Sequence, residues 1–171
     1  PLTDTCPKPL LDVAGTPLIG WHLKRLAAAG LTDIVINHAW LGEKIEASLG
    51  DGSAYGVKIA YSPEEKALET AGGIARALPL LGSEPFAVVN GDIFTDFDFG
   101  RLPAIAAQLP AGGAHLVMAP KAGYPTGRDL TLDATGLAHP CGADDTPLTF
   151  AGVAVYTPAF FAGVAPDQPA P

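Results

Sequence analysis

Basic residues are scarce in this chain: ten lysines and arginines stand against 18 aspartates and glutamates, for a net charge of -8 and a pI near 4.7. The few cations are scattered, so no electropositive footprint exists for nucleic acid or an anionic lipid surface. A phosphate-bearing ligand has to be met locally, by a metal ion, backbone N–H donors or a few placed lysines. Cysteine is nearly absent as well. Cys6 and Cys141 are too few and too far apart for a disulfide framework or a zinc site, and a reduced, cytoplasmic setting is the default expectation. No apolar stretch reaches the roughly 18 residues of a membrane span, and no basic-then-apolar leader pattern is present, so no membrane partner is expected. His22, His38, His115 and His139 lack metal-ligand spacing, and no serine has nucleophile-elbow context. Gly72-Gly73 has neither the Lys-Ser/Thr of a P-loop nor dinucleotide-fingerprint spacing.

What is present is a 171-residue chain, 48% hydrophobic, suited to a single domain around one large core. It starts at Pro1 without Met and closes on Pro166-Asp167-Gln168-Pro169-Ala170-Pro171, a pattern read as part of a longer natural protein. Prolines flank Lys8 and are expected to hold it on a stiff, extended loop. Thr16 is expected to cap a helix that begins at Pro17 and ends before Gly30. Ile34-Val35-Ile36 reads as a buried parallel strand, with Asn37-His38 in the loop beyond it. A helix over 41–49, a strand over 57–61, a small-residue turn Glu69-Thr70-Ala71-Gly72-Gly73, a helix from Ile74 and a strand at Phe86–Val89 follow. This alternation predicts an α/β fold: a Rossmann-like, open, mainly parallel sheet with helices on both faces. Ligands then bind outside the carboxyl ends of strands, where Asn37, the Thr70 turn and Asp92 would converge. Farther on come a helix over 99–109, a strand over 114–119, a hairpin around Asp133–Gly136, and a strand over 149–156 interrupted by Gly152. A glycine inside a strand marks close approach of another backbone or a ligand.

Asp92 ends the run Val89-Asn90-Gly91-Asp92, where a buried strand emerges. Its carboxylate suits a single Mg²⁺ held by one or two carboxylates plus phosphate oxygens, and an ordinary solvated Asn-Gly-Asp turn suits the residues equally. Lys8 is a compact charge for a phosphate or simply a solvated loop lysine. The N–H groups of the Thr70-Ala71-Gly72 turn open a helix, pointing outward toward a base edge or an anion, with Thr70 as N-cap.

Taken in order, Pro7-Lys8-Pro9-Leu10-Leu11, Ala14-Gly15-Thr16-Pro17-Leu18-Ile19, Ile36-Asn37-His38-Ala39-Trp40-Leu41-Gly42, Leu68-Glu69-Thr70-Ala71-Gly72-Gly73-Ile74 and Val89-Asn90-Gly91-Asp92 resemble the sugar-1-phosphate nucleotidyltransferases. The resemblance spans residues 1 to about 161 and is greatest to the branch that acts on N-acetylmuramic acid alpha-1-phosphate in cell-wall recycling. Mannose-1-phosphate guanylyltransferases are similar enough to stay open, as does a non-catalytic nucleotide-sugar-binding module. The resemblance implies one nucleotidyltransferase domain over residues 1–171, without the family's N-terminal glycine-rich loop and C-terminal part. It implies UTP and a sugar 1-phosphate as substrates and Mg²⁺ as cofactor. Lys8 and Asp92 would be catalytic, with Asp92 holding the metal. Glu64, Thr70, Ala71 and Gly72 would bind the nucleotide, Glu64 by accepting an imide N–H. Asn90, Gly152, Arg128 and Asp129 would lie on the sugar side.

Overall fold

The computed structural model describes residues 2–121 and 130–171. Arg128 and Asp129 therefore lie outside the described residues. After a 3₁₀ turn over Leu2–Asp4, a second spans Lys8–Leu10, preceded by Pro7 at φ -58 and ψ 139. The Lys8 backbone is thus turned rather than extended, and only Pro7 keeps the expected extended geometry.

β1 (Asp12–Val13) pairs antiparallel with β2 (Thr16–Pro17). This pairing removes Thr16 from the capping role. Helix α1 (Leu18–Ala28) starts from Pro17 with no side-chain cap, and Thr16 instead accepts from Lys24 Nζ at 3.3 Å. Ile19, His22, Leu23 and Leu26 recur at helical spacing and form the buried face of α1. Gly30, at φ +80, ends it as expected.

β3 (Asp33–His38) pairs in parallel with β4 (Lys58–Pro63) over six registered residues, from Asp33 opposite Lys58 to His38 opposite Pro63. Asn37 and His38 are therefore the last residues of the strand, not of a loop. Between these strands, α2 (Gly42–Leu49) packs Ile45 and Leu49 onto Ile36 and Ile59. Gly42 is required by close approach: a Cβ there would sit 1.9 Å from the His38 ring.

Helix α3 (Glu69–Leu81) begins five residues earlier than the periodicity indicates, so the small-residue turn is already helical. Its N-cap position is Leu68, and Thr70 lies inside the first turn rather than capping it. β5 (Phe86–Val89) follows, then a loop, a 3₁₀ turn at Phe99–Arg101 and the short α4 (Leu102–Ala106). The cap of that turn is Asp98, which accepts from Gly100 N at 2.9 Å.

β6 (Ala114–Pro120), the hairpin β7 (Leu130–Leu132) and β8 (Ala138–Pro140), and β9 (Leu148–Tyr156) complete the strands among the described residues. β9 pairs antiparallel with β5, β6 and β7. The α/β class stands, with mixed pairing: β3 and β4 are parallel, and the five-stranded sheet is antiparallel. Two apolar clusters flank this arrangement. Leu26, Phe99, Leu102, Val153 and Val155 pack on one side, and Ile74, Phe86 and Phe161 on the other. Among the described residues no helix is long and apolar enough to cross a membrane.

Candidate active site

Asp92 is carried by the loop that leaves β5. Asn90 N donates to Gly152 O at 2.9 Å, fastening the loop's start to β9. Helix α1 holds its continuation: His22 Nε2 meets Ile93 O at 2.9 Å, and the Arg25 guanidinium donates to the carbonyls of Thr95 and Phe97. Because a carbonyl only accepts, His22 carries its proton on Nε2. The same Arg25 lies 4.5 Å from the centre of the Phe99 ring, where a cation gains from the aromatic face. Asp92 thus projects from a backbone fixed on both sides.

Lys8 Nζ lies 3.8 Å from Asp92 Oδ2, with side-chain exposures of 65% and 42%. At that exposure the pair adds little to stability. Both groups stay accessible to a ligand.

Asp92 lines a crevice of about 640 Å³ with Asn37, Thr70, Asn90 and Glu69. The end of β3, the start of α3 and the loop after β5 therefore converge, as the alternation predicts. Glu69 is the residue that sequence reasoning left out of the binding set. Its φ of +60 is rare for a non-glycine residue, and such strain is found preferentially at binding sites. No sequence signal marks it beyond its place in the turn.

Three expectations need correction. The N–H groups of Ala71 and Gly72 do not face the open crevice, because both donate to Ala170 O, at 2.9 and 3.2 Å. Ala170 N returns a bond to Leu68 O at 3.0 Å, so the segment lies along the helix start. Glu64 is held by the protein itself: Oε1 accepts from Asn37 Nδ2 at 2.9 Å and Oε2 from Leu68 N at 2.8 Å. The close approach at Gly152, which has φ +77, is made by Ile93 and Asn90, whose side chains would lie 2.9 and 3.2 Å from an added Cβ.

Among the described residues no group of three or more His, Cys, Asp and Glu could hold a metal ion. Asp92 offers one carboxylate beside one ammonium group. This pairing suits a ligand that brings its own anionic oxygens, since the carboxylate can share a hard cation with phosphate and the lysine can meet the remaining charge.

Comparison with known proteins points the same way. The nucleotidyl transferase family matches residues 1–127. The chain is 58% identical over 160 residues to N-acetylmuramate alpha-1-phosphate uridylyltransferase of Neisseria meningitidis serogroup B, covering 92% of this chain and 69% of that protein. It is 40% identical over 102 residues to mannose-1-phosphate guanylyltransferase of Mycobacterium tuberculosis, covering 60% of this chain and 28% of that protein. In fold it resembles the crystal structure of HddC from Yersinia pseudotuberculosis, with a TM-score of 0.76 at 20% identity over 95% of this chain and 72% of that one.

Proposed function

Because the chain belongs to the nucleotidyl transferase family, we propose that it transfers a uridylyl group from UTP to N-acetylmuramic acid alpha-1-phosphate. The carrying observation is the 58% identity to the Neisseria uridylyltransferase across 92% of the chain, against 40% across 60% for the guanylyltransferase. A sugar-phosphate oxygen attacks the α-phosphorus of UTP. The bond from that phosphorus to the β-phosphate oxygen breaks, and pyrophosphate leaves. Oxygen and charge balance without a covalent enzyme intermediate, so the protein's task is positioning and charge neutralisation.

Lys8 meets the phosphates as a point charge on a proline-bounded turn. Asp92 would hold Mg²⁺, which would supply charge neutralisation at the phosphates. A single carboxylate suffices for this ion, because Mg²⁺ keeps several waters and takes substrate oxygens as ligands. Thr70, which lines the crevice with Asp92, lies against the nucleoside. Glu64 shapes that wall through Asn37 and Leu68 N while keeping unused lone pairs for a base. Asn90 faces the sugar, and Gly152 serves it indirectly by letting Asn90 and Ile93 pack close. A role in cell-wall recycling in the cytoplasm fits the product, a nucleotide-activated wall sugar.

The test is product formation by the intact protein with Mg²⁺, UTP and the muramic acid derivative, beside GTP and mannose 1-phosphate. Pyrophosphate release from the first pair supports the proposal. Faster turnover of the second pair, or nucleotide binding without pyrophosphate from any sugar phosphate, rejects it.

A further inference from the structure

Helix α1 supports both of the groups that meet at the site. At its start, Leu18 N donates to Leu11 O at 3.0 Å, and Leu11 N donates to Lys8 O at 3.0 Å, so the lysine's turn is tied to the first residue of the helix. Leu10 of that turn packs against the cluster of Ile19 and Leu23. Farther along, the same helix reaches the Asp92 loop. Residues 93–98 form neither helix nor strand, so no ladder satisfies their carbonyls. His22 serves the carbonyl of Ile93, and Arg25 serves two, those of Thr95 and Phe97.

Arg25 grips a closed turn, because Phe97 N donates to Thr95 Oγ1 at 3.1 Å within the stretch that the guanidinium spans. A guanidinium is a planar fork of donors, so bonds to two carbonyls two residues apart fix the turn's orientation as well as its distance. Phe99, buried in the cluster with Leu26, holds the fork in turn by lying under its cation. We infer that Arg25 is a positioning residue: through the loop that it holds, it sets the 3.8 Å meeting of Asp92 with Lys8, with α1 as the rigid gauge between them. Arg25 acts through backbone and not on the reacting atoms. Its part in catalysis rests on the proposed transfer reaction, in which that pair neutralises phosphate charge.

Zero-length carbodiimide coupling reads the pair directly, because it joins an amine and a carboxylate already in contact, and both tips are exposed to the reagent. The Lys8–Asp92 cross-link is quantified by mass spectrometry in the intact parent, Arg25→Met, Arg25→Lys and Phe161→Leu, each shown to be folded by circular dichroism. Arg25→Met should lower the yield by roughly tenfold, with kcat falling by roughly tenfold to a hundredfold and KM for the sugar phosphate little changed. Arg25→Lys should recover part of both, since an ammonium group keeps the charge and loses the fork. Phe161→Leu is a packing loss in the other apolar cluster and should leave the yield unchanged. No cross-link in the parent, or equal yields in the parent and Arg25→Met, overturns the inference. So does a lowered yield with undiminished kcat, or a matching fall in Phe161→Leu, which would make stability the cause. A parent that releases no pyrophosphate from any sugar phosphate rejects the proposed reaction, and the cross-link yields then still decide whether Arg25 sets the pair.

Discussion

Asn37 Nδ2 donates to Glu64 Oε1 at 2.9 Å, joining the carboxyl ends of the parallel strands β3 and β4 at the wall of the crevice. The other carboxylate oxygen accepts from Leu68 N at 2.8 Å, one residue before α3. One side chain thus ties two strand ends to the helix start. Gly73 is buried against this clamp, and a Cβ there would lie 2.6 Å from Glu64 Oε1 and 2.7 Å from Asn37 Nδ2.

Glu64→Ala should therefore cost about 1 kcal/mol, because the part-buried Leu68 N–H loses its acceptor while the exposed Asn37 amide can turn to water. Gly73→Ala should cost a comparable amount by pushing the clamp apart. In the double variant only the Asn37 contact of the clash remains, and that side chain is no longer held by Glu64, so the combined loss should be smaller than the sum of the two separate losses. Urea denaturation of the four proteins measures this coupling, and strict additivity would show that the clamp does not respond to Gly73.

Asp92→Asn keeps the side chain's size but removes its charge, and near 42% exposure the fold has little reason to respond. Turnover should fall by roughly a hundredfold or more, the scale seen when a group that stabilises transition-state charge is removed. Lys8→Ala should lose a similar factor, with Lys8→Arg recovering part of it because the positive charge remains. Rates measured beside melting curves separate chemistry from folding. A Lys8→Ala variant with normal turnover would leave that lysine as a solvated loop residue.

The lysine–carboxylate meeting was legible in the sequence because each partner sits in a short, stiffly punctuated segment: Pro7-Lys8-Pro9, and a strand that ends at Asn90-Gly91-Asp92. The fastening of the Asp92 loop was not. His22 and Arg25 reach Ile93 and Thr95 across 71 and 70 residues, and neither has a spacing that betrays a distant carbonyl partner. The α/β alternation was visible from apolar runs, whereas the antiparallel return of β9 beside β5 was not, since an apolar run carries no record of strand direction. Thr16 shows local propensity overridden: a residue suited to capping joins a two-residue ladder instead. The cover of Ala71 and Gly72 by Ala170 depends on a proline-rich segment with no periodicity to read.

Glu69 has φ +60, a conformation that glycine adopts without strain. Glu69→Gly should raise stability by about 1 kcal/mol if that strain outweighs the added freedom of glycine in the unfolded chain. The melting temperature should rise by a few degrees. Because Glu69 lines the crevice beside Asp92, removing its negative charge should also lower the KM for a polyanionic nucleotide, more at low ionic strength than at high. A higher KM would instead show that the carboxylate contacts the substrate.

Burial holds the His22 imidazole below its ordinary value of 6.5, the Ile93 carbonyl opposes that, and nearby Arg25 reinforces it. The folded protein thus resists taking up a proton that the unfolded chain accepts near that value. As pH falls through about 6.5 the unfolded state binds more protons, so stability declines until the folded imidazole also titrates. The hydrogen-bonded carboxyl of Asp133, lowered from 3.8 by Thr135 and His139, gives up its contribution only in more acid solution and stays outside this window. The urea midpoint should therefore drop between about pH 7.5 and about pH 5.5 in the parent and much less in His22→Gln, whose amide N–H can still donate to Ile93 O. Equal pH slopes in the two proteins would assign the acid loss to other groups and leave His22 as packing alone.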